Sequence, residues 1–354
     1  MTNQFITLIA AAFVAWVVFI VPRARKWIAE CDDATNDPIP MWAPPAGMRP
    51  LGISFPPFDG VEWSSISHEV DAEGVHVFHS DAVGPGGAAA KRRSPLHVAF
   101  FAVQHAKDYL DTGDEKNLLL AARQIEYLAG AAAPVTIGVR EGVLWCADLE
   151  VGRQYNVTAP WKSAYFQILS MSALTWGYAL TGNTRYLDLV RRGLVPLEHA
   201  TEEGGLCYRT PGGGTFFEEI VSSPPHHILN GHLHTLINLR YLRAFTGWEE
   251  VDPIIESALA GTTEVLPLYD RYDYSQYSLA PNPGFRNHFN IANPYYHRLH
   301  VALLRQLHSL TGNVTFEKYA NVWDGRCGGA FDTAWAMLLI MSSDMMAVVK
   351  ALRR

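Results

Sequence analysis

The feature that most constrains this chain is a helix ending, a Thr-Gly pair and a fresh helix start, repeated four times. The instances are Tyr109-Leu-Asp-Thr-Gly113, Tyr178-Ala-Leu-Thr-Gly182, Ala244-Phe-Thr-Gly247 and Ser309-Leu-Thr-Gly312, with glycines 69, 65 and 65 residues apart. Glycine after a last helical turn adopts the left-handed conformation that closes a helix. Apolar residues at three- and four-residue spacing flank each pair, as at Leu118, Ala121, Ala122, Ile125 and Leu128. A period near 65 accommodates two helices and their loops. One such hairpin cannot bury its own apolar face, so neighbours must stack. The expected fold is mainly α: an α/α toroid of about four helical hairpins over residues 96–354. An open scaffold of hairpins is the alternative. The toroid is preferred because the segments between hairpins are long and rich in aromatic and polar residues, and loops gathered at one end of a helical barrel make a cleft.

Composition narrows the class. The 354 residues are 49% apolar and 18% charged, which excludes a disordered chain and a small stapled domain. A net charge of −7 and the lack of a long basic run argue against a nucleic-acid partner. Cysteines stand singly at 31, 146, 207 and 327, without the spacing of a zinc knuckle or a disulfide framework. Aromatic residues make up 12%, which suits a sugar cleft and a large core equally.

The N-terminus reads as a membrane helix. Phe5–Val21 is apolar and uncharged, Pro22 ends it, and Arg23, Arg25 and Lys26 follow. A cleaved signal peptide carries its basic residues before the apolar run, so a retained single-pass anchor over residues 1–30 is expected. The basic flank favours keeping the bulk of the chain on the cytoplasmic side, and the anchor would be Golgi-lumenal in a eukaryote or inner-membrane-associated in a bacterium. Asn156-Val-Thr158 and Asn313-Val-Thr315 have the form of glycan acceptors. Residues 31–95 read as a linker and small β-hairpin element, with strands at Ile53–Phe58 and Gly74–His79 and a turn at Gly84–Gly87. The apolar stretch Ala334–Met346 reads as a terminal helix, a place for a possible homodimer contact.

Two segments hold the unusual chemistry. Phe216–Gly231 places Glu218, Glu219, His226, His227 and Asn230 between helices. The Glu and His pairs are metal-ligand types, but adjacent residues of an extended segment point in opposite directions, so no metal site is assigned. The other segment runs from Leu266-Pro-Leu-Tyr-Asp270 through Tyr277, Arg286, His288, Asn290, Asn293, Tyr296, His297 and His300. A helix starts after Pro294, and on it Asn293, Tyr296, His297 and His300 can share a face. Such a face beside an Arg-bearing loop can hold a carboxylate and hydroxyls.

These segments resemble the C-terminal helical domain of the heparosan glucuronyl C5-epimerase family. The matching stretches are Trp161-Lys-Ser-Ala-Tyr-Phe-Gln167, Glu218-Glu219 through Leu229-Asn-Gly231, Leu266–Asp270 with Tyr277 seven residues on, and Tyr296-His297 followed by His300. The similarity runs from roughly residue 96 to 324. The resemblance implies an α/α toroid with a polymer-binding cleft, and inversion at C5 of D-glucuronate within a heparosan-like polysaccharide to give L-iduronate. It matches Tyr277 and Tyr296 to tyrosines that move protons, and Glu219, Asn230 and Asn290 to positions lining the sugar site. Trp161, His234, Arg286 and His297 complete the candidate substrate-binding set. No cofactor is required, and no dinucleotide-type Gly-rich loop is present.

The chain departs from the family at two positions. A tyrosine that follows the paired glutamates in the family is Ile220 here, and an arginine three residues after the tyrosine matched by Tyr277 is Ala280. Arg286 or Arg271 are the candidate replacement cations, and Lys91, Arg92 and Arg93 are candidates to concentrate positive charge for a polyanion. A uronate lyase or hydrolase on the same scaffold, or a non-catalytic uronate-polymer-binding protein, are the alternatives.

Overall fold

A computed structural model describes residues 42–83, 89–149, 151, 155–271, 274–279 and 290–326. Among these the fold is mainly helical, and the eight long helices come in four consecutive pairs. They are α1 (Pro95–Thr112) with α2 (Glu115–Gly130), α3 (Ala164–Thr181) with α4 (Arg185–Glu198), α5 (Leu229–Thr246) with α6 (Asp252–Val265), and α7 (Pro294–Thr311) with α8 (Val314–Asp324).

Each pair turns at a Thr-Gly, as expected. Gly113, Gly182, Gly247 and Gly312 have φ of 72°, 77°, 71° and 68°. Their N–H groups donate to the carbonyls of Tyr109, Tyr178, Arg243 and His308. The threonine has its own part in the motif. Thr112, Thr181, Thr246 and Thr311 each donate Oγ1–H to the carbonyl four residues back. Each hydroxyl oxygen then accepts from the N–H two residues on. Asp114 and Asn313 cap the next helix from the same turn by accepting from Lys116 N and Thr315 N. Asn313, read as a glycan acceptor, is therefore engaged as a helix cap.

A β-hairpin follows the second helix of the first three pairs. β3 (Ala133–Ile137) pairs with β4 (Arg140–Leu144), β5 (Cys207–Arg209) with β6 (Thr215–Phe217), and β7 (Asp270–Arg271) with β8 (Tyr274–Ser275), all antiparallel. The repeat is thus helix–helix–hairpin. Strands of two to five residues are too short to announce themselves by alternation, so the sequence shows these segments only as connections between helices.

The chain divides into two units. The larger comprises residues 42–227 and 231–264, and the smaller residues 228–230 and 265–326, within the described parts. In the larger unit α3 is the central helix, buried on all sides from Ala164 to Leu180 apart from Tyr165 and Tyr178. Its interior hydroxyls Ser170, Ser172 and Thr175 bond back to their own helix. Gln167, fully buried, donates to the carbonyls of Val143 and Gly193 and accepts from Trp145 N, tying α3 to β4 and α4. The β5–β6 hairpin lies directly on α6, where a Cβ on Gly261 would meet the Thr215 carbonyl oxygen at 2.3 Å.

The N-terminal part differs from expectation. Ile53–Phe58 is not a strand. Pro56 and Pro57 lack the N–H groups of a ladder, and Leu51 and Ile53 instead donate to Ala179 and Leu180 at the end of α3. The expected strand at Gly74–His79 begins only at Phe78: β1 (Phe78–Val83) pairs with β2 (Ala89–Arg92). His76 is drawn into the core by Gln124, which accepts from its N–H while donating to Gly74 O. Of the basic trio, Arg93 is held by Asp71 and Glu73 while Arg92 is exposed. No helix among the described residues is long and apolar enough to cross a membrane. The expected anchor at residues 1–30, the turn at Gly84–Gly87 and the terminal stretch Ala334–Met346 lie outside the described residues.

Candidate active site

In the smaller unit the chemistry gathers around β8 and the start of α7. Helix α7 begins where it does because Asn293 caps it, its side chain accepting from Tyr296 N at 2.9 Å, with Pro294 at the first helical position. That cap puts Tyr296 in the first turn. The ring of Tyr277 lies against it, centroids 4.8 Å apart and planes inclined at 59°. Both tyrosines are half-buried.

Backbone bonds bring two further candidates to Tyr277. Its N–H donates to Asn290 O at 2.6 Å, and its carbonyl accepts from Leu229 N, the neighbour of Asn230, at 3.1 Å. Asn290 sits at φ 52°, a left-handed conformation that asparagine tolerates better than most residues. Gln276 and Ile291 form an antiparallel bridge, and Ala292 N donates to Ser275 O, so residues 275–277 and 290–292 run side by side. Arg286, between them in sequence, lies outside the described residues.

The face expected to carry Asn293, Tyr296, His297 and His300 divides. Asn293 is used as a cap, and His297 and His300 turn into the core, both fully buried. His297, expected among the substrate contacts, lies in the interior. Its Nε2 lies 3.1 Å from Trp323 O, and its Nδ1 lies 3.1 Å from Ser275 N and 2.8 Å from Ser275 Oγ. A carbonyl only accepts, so Nε2 carries the hydrogen and Nδ1 accepts from Ser275. Burial holds this imidazole neutral, its pKa pushed down to about 3. Its ring stacks on Tyr274 with centroids 3.7 Å apart. His300 Nδ1 reaches Ser275 Oγ at 3.0 Å. Asp270 accepts from Trp323 Nε1 at 3.1 Å and from Arg326 Nη1 at 2.7 Å, tying β7 to the end of α8. Asp270, His297 and His300 of this layer lie in the matching stretches, whereas nothing local in the sequence marks Ser275 or Trp323.

The larger unit holds the other candidates. Glu218 is buried and belongs to the fold. It accepts from His227 N at 3.1 Å and pairs with His227 Nδ1 at 2.5 Å. Its backbone joins Leu206 and Ala164. Glu219 takes the other side of the chain and lies over the first turn of α5. A Cβ on Gly231 would stand 2.3 Å from Glu219 Oε2 and 2.5 Å from Glu219 Cβ. Ile220, at the position of the family tyrosine, is a core residue 5% exposed. His226 packs edge-on against Tyr155, and burial lowers its pKa. No group of three or more metal-ligating side chains occurs among the described residues.

His234, on α5, stacks on Tyr165 at 5.0 Å, and burial brings its pKa down to about 4. Its Nδ1 has no hydrogen-bond partner among the described residues. Trp161 is 5% exposed, and its indole N–H donates to Leu149 O, so its polar edge is taken up by the fold. Nothing local in the sequence marks His232, whose Nδ1 accepts from Phe217 N and whose Nε2 meets Thr262 Oγ1 at 2.7 Å. This fully buried ring fastens β6 and α6 to α5.

The profile of the family described as D-glucuronyl C5-epimerase C-terminus matches residues 141–325, more than half of the chain. The chain belongs to that family. The candidate catalytic and substrate-binding residues all fall within the match, whereas Lys91, Arg92 and Arg93 lie outside it. An uncharacterized protein from Methanocaldococcus jannaschii is 27% identical over 206 residues, 56% of this chain and 64% of that protein. A D-glucuronyl C5-epimerase from Caenorhabditis elegans is 25% identical over 186 residues, 48% of this chain and 29% of that enzyme. The chain thus spans less than two thirds of either relative. A sugar epimerase from a ruminal bacterium superposes with a TM-score of 0.49 at 16% identity, covering 70% of this chain and 64% of that one. In this C5-epimerase-family chain the smaller unit assembles Asn230, Tyr277, Asn290 and Tyr296, with His297 beneath them. Trp161, Glu219 and His234 belong to the larger unit.

Proposed function

We propose that this chain inverts C5 of D-glucuronate residues in a heparosan-like polysaccharide, giving L-iduronate. The observation that carries the reading is the contact between Tyr277 and Tyr296, 4.8 Å between ring centroids, in a chain of the C5-epimerase family. Epimerisation removes the proton next to the uronate carboxylate and returns one on the other face. The intermediate has enediolate character and added negative charge, so it needs a base on one side, an acid on the other and donors around the carboxylate. Tyrosine serves either role according to its ionisation. In this proposal Tyr277 and Tyr296 exchange protons on opposite faces, while Asn230, Asn290 and Arg286 hold the uronate. The polymer is the partner, and an N-terminal helix over residues 1–30 tethers the enzyme to a membrane.

The test is incubation with heparosan and N-sulfated heparosan in D2O, followed by NMR. Deuterium at C5 together with iduronate signals is expected. Tyr296→Phe should keep the fold and lower exchange at least about a hundredfold, the low end for general acid–base catalysis. Unchanged turnover rejects the role of Tyr296. An unsaturated, ultraviolet-absorbing product would instead mark a lyase, which expels the C4 substituent from the same carbanion. Ile220 favours one other reading: with a core side chain where the family has a tyrosine, polymer binding without deuterium uptake would identify a binding protein.

A further inference from the structure

The two tyrosines sit on separate segments, and something must hold those segments in register. Tyr296 is on the first turn of α7, whereas Tyr277 follows β8. Backbone bonds pair residues 275–277 with 290–292 just ahead of α7 and set the main-chain register; the contact of the two half-buried rings is side chain against side chain. Beneath them lies one residue bonded to both segments. His297 directly follows Tyr296, and Ser275 precedes Tyr277 by two residues, so on an extended chain the Ser275 and Tyr277 side chains point the same way.

We infer that His297 is a positioning residue for the proton-transfer pair, holding Ser275 with Nδ1 and Trp323 with Nε2 so that Tyr277 stays against Tyr296. The inference rests on the epimerase reading for its catalytic consequence, but the geometry stands by itself. Two segments distant in sequence converge on this single ring of α7: β8, through Ser275 N and Oγ and the stacked Tyr274, and α8, through the Trp323 carbonyl. The ring is fully buried and touches no open side of the molecule. Its tautomer is set by the Trp323 carbonyl, which can only accept. A second bond reinforces the same clamp: His300, one turn further along α7, reaches Ser275 Oγ. Trp323 is itself anchored, its indole N–H donating to Asp270. The chain Asp270–Trp323–His297–Ser275 therefore ties the β7–β8 hairpin, α8 and the start of α7 into one support.

Two substitutions separate the two ring nitrogens. His297→Asn keeps an acceptor where Nδ1 stands and loses the bond to Trp323. His297→Gln reaches Trp323 and releases Ser275. Circular dichroism and thermal melting establish that each variant is folded. With 13C-labelled tyrosine rings, the wild type should give a Tyr277–Tyr296 cross-peak. His297→Asn should retain that cross-peak, and its kcat should fall less than that of His297→Gln. His297→Gln should lose it, with kcat reduced on the order of ten- to a hundredfold and KM little changed, as expected when reacting groups are misplaced by an ångström or less. A cross-peak that survives in both variants overturns the clamp. So does a rise in KM at unchanged kcat, which would make His297 a substrate contact. In the unsubstituted protein, 15N-histidine spectra should show His297 as the Nε2–H tautomer with a slowly exchanging proton, and an Nδ1–H tautomer would also overturn the inference. Absence of deuterium uptake by the wild type on every uronate polymer would sink the epimerase reading, while the cross-peak would still decide the clamp.

Discussion

Gly231 has no side chain, and Glu219 occupies the space this leaves. A Cβ at Gly231 would fall 2.3 Å from the Glu219 carboxylate oxygen and 2.7 Å from its Cγ, so the whole glutamate would have to shift. The first turn of a helix also presents free N–H groups and the positive end of the macrodipole, a favourable place for a carboxylate. If Glu219 helps bind the sugar, Gly231→Ala should lower deuterium exchange about as much as Glu219→Ala. The double variant should then be no worse than either alone, because both act through one side chain. Additive losses would show that Gly231 acts otherwise. The buried histidines are a different kind of residue. His232 and His297 spend both ring nitrogens on backbone or hydroxyl partners of the protein, and neither is available to a ligand. In sequence they are indistinguishable from site histidines, since residue type is the same whether a ring faces a core or a cleft.

The Thr-Gly turn is the element from which this fold is built. Glycine takes the left-handed position, threonine satisfies a carbonyl behind and an N–H ahead, and at the first and last of the four turns a polar residue, Asp114 or Asn313, caps the next helix. Substituting Gly113 isolates the conformational part, since nothing lies within 4 Å of a Cβ built there. Gly113→Ala should destabilise by about 1–2 kcal/mol, the cost of a left-handed conformation for a residue with a Cβ. Gly130 closes α2 without a positive φ and also has open space around it. Gly130→Ala should therefore be neutral or slightly stabilising. Thermal melts of the two variants make the comparison, and equal losses would refute the explanation by φ. The β-hairpins are the opposite case. β7–β8 pairs two residues with two, and it is held by Trp323 bonding Asp270 and His297 bonding Ser275, both from other elements.

For the molecule as a whole, the buried histidines set an acid limit. Burial lowers the pKa of His76 to about 4, His232 to about 3, His234 to about 4 and His297 to about 3, against an ordinary 6.5. Below about pH 6.5 the unfolded chain takes up these protons while the folded one does not. The stability they contribute is complete above that pH and is lost as the pH falls through the folded-state values. Melting temperature should thus drop steadily from about pH 6.5 towards pH 4, and replacing His234 with Asn should flatten the slope. A pH-independent melt across that range would exclude the buried neutral state. Charge has a second consequence. A net −7 opposes a polyanionic substrate, so affinity for a uronate polymer must come from local cations and should weaken as salt screens them. Binding that does not change with salt would argue against a long anionic ligand.

Much was legible from the residues alone: the four helix pairs and their turns. These depend on neighbours within a few positions, such as a left-handed glycine, a capping side chain, a three-to-four spacing or a short motif. Beyond that reach lay the hairpin after each of the first three helix pairs, the inward turn of His297 and His300, the commitment of Arg93 to Asp71 and Glu73, and the closeness of residue 277 to residues 229, 290 and 296. Each of these requires segments tens of residues apart to meet. Only burial in the assembled chain decides whether a polar side chain there is spent on the protein or left for a ligand.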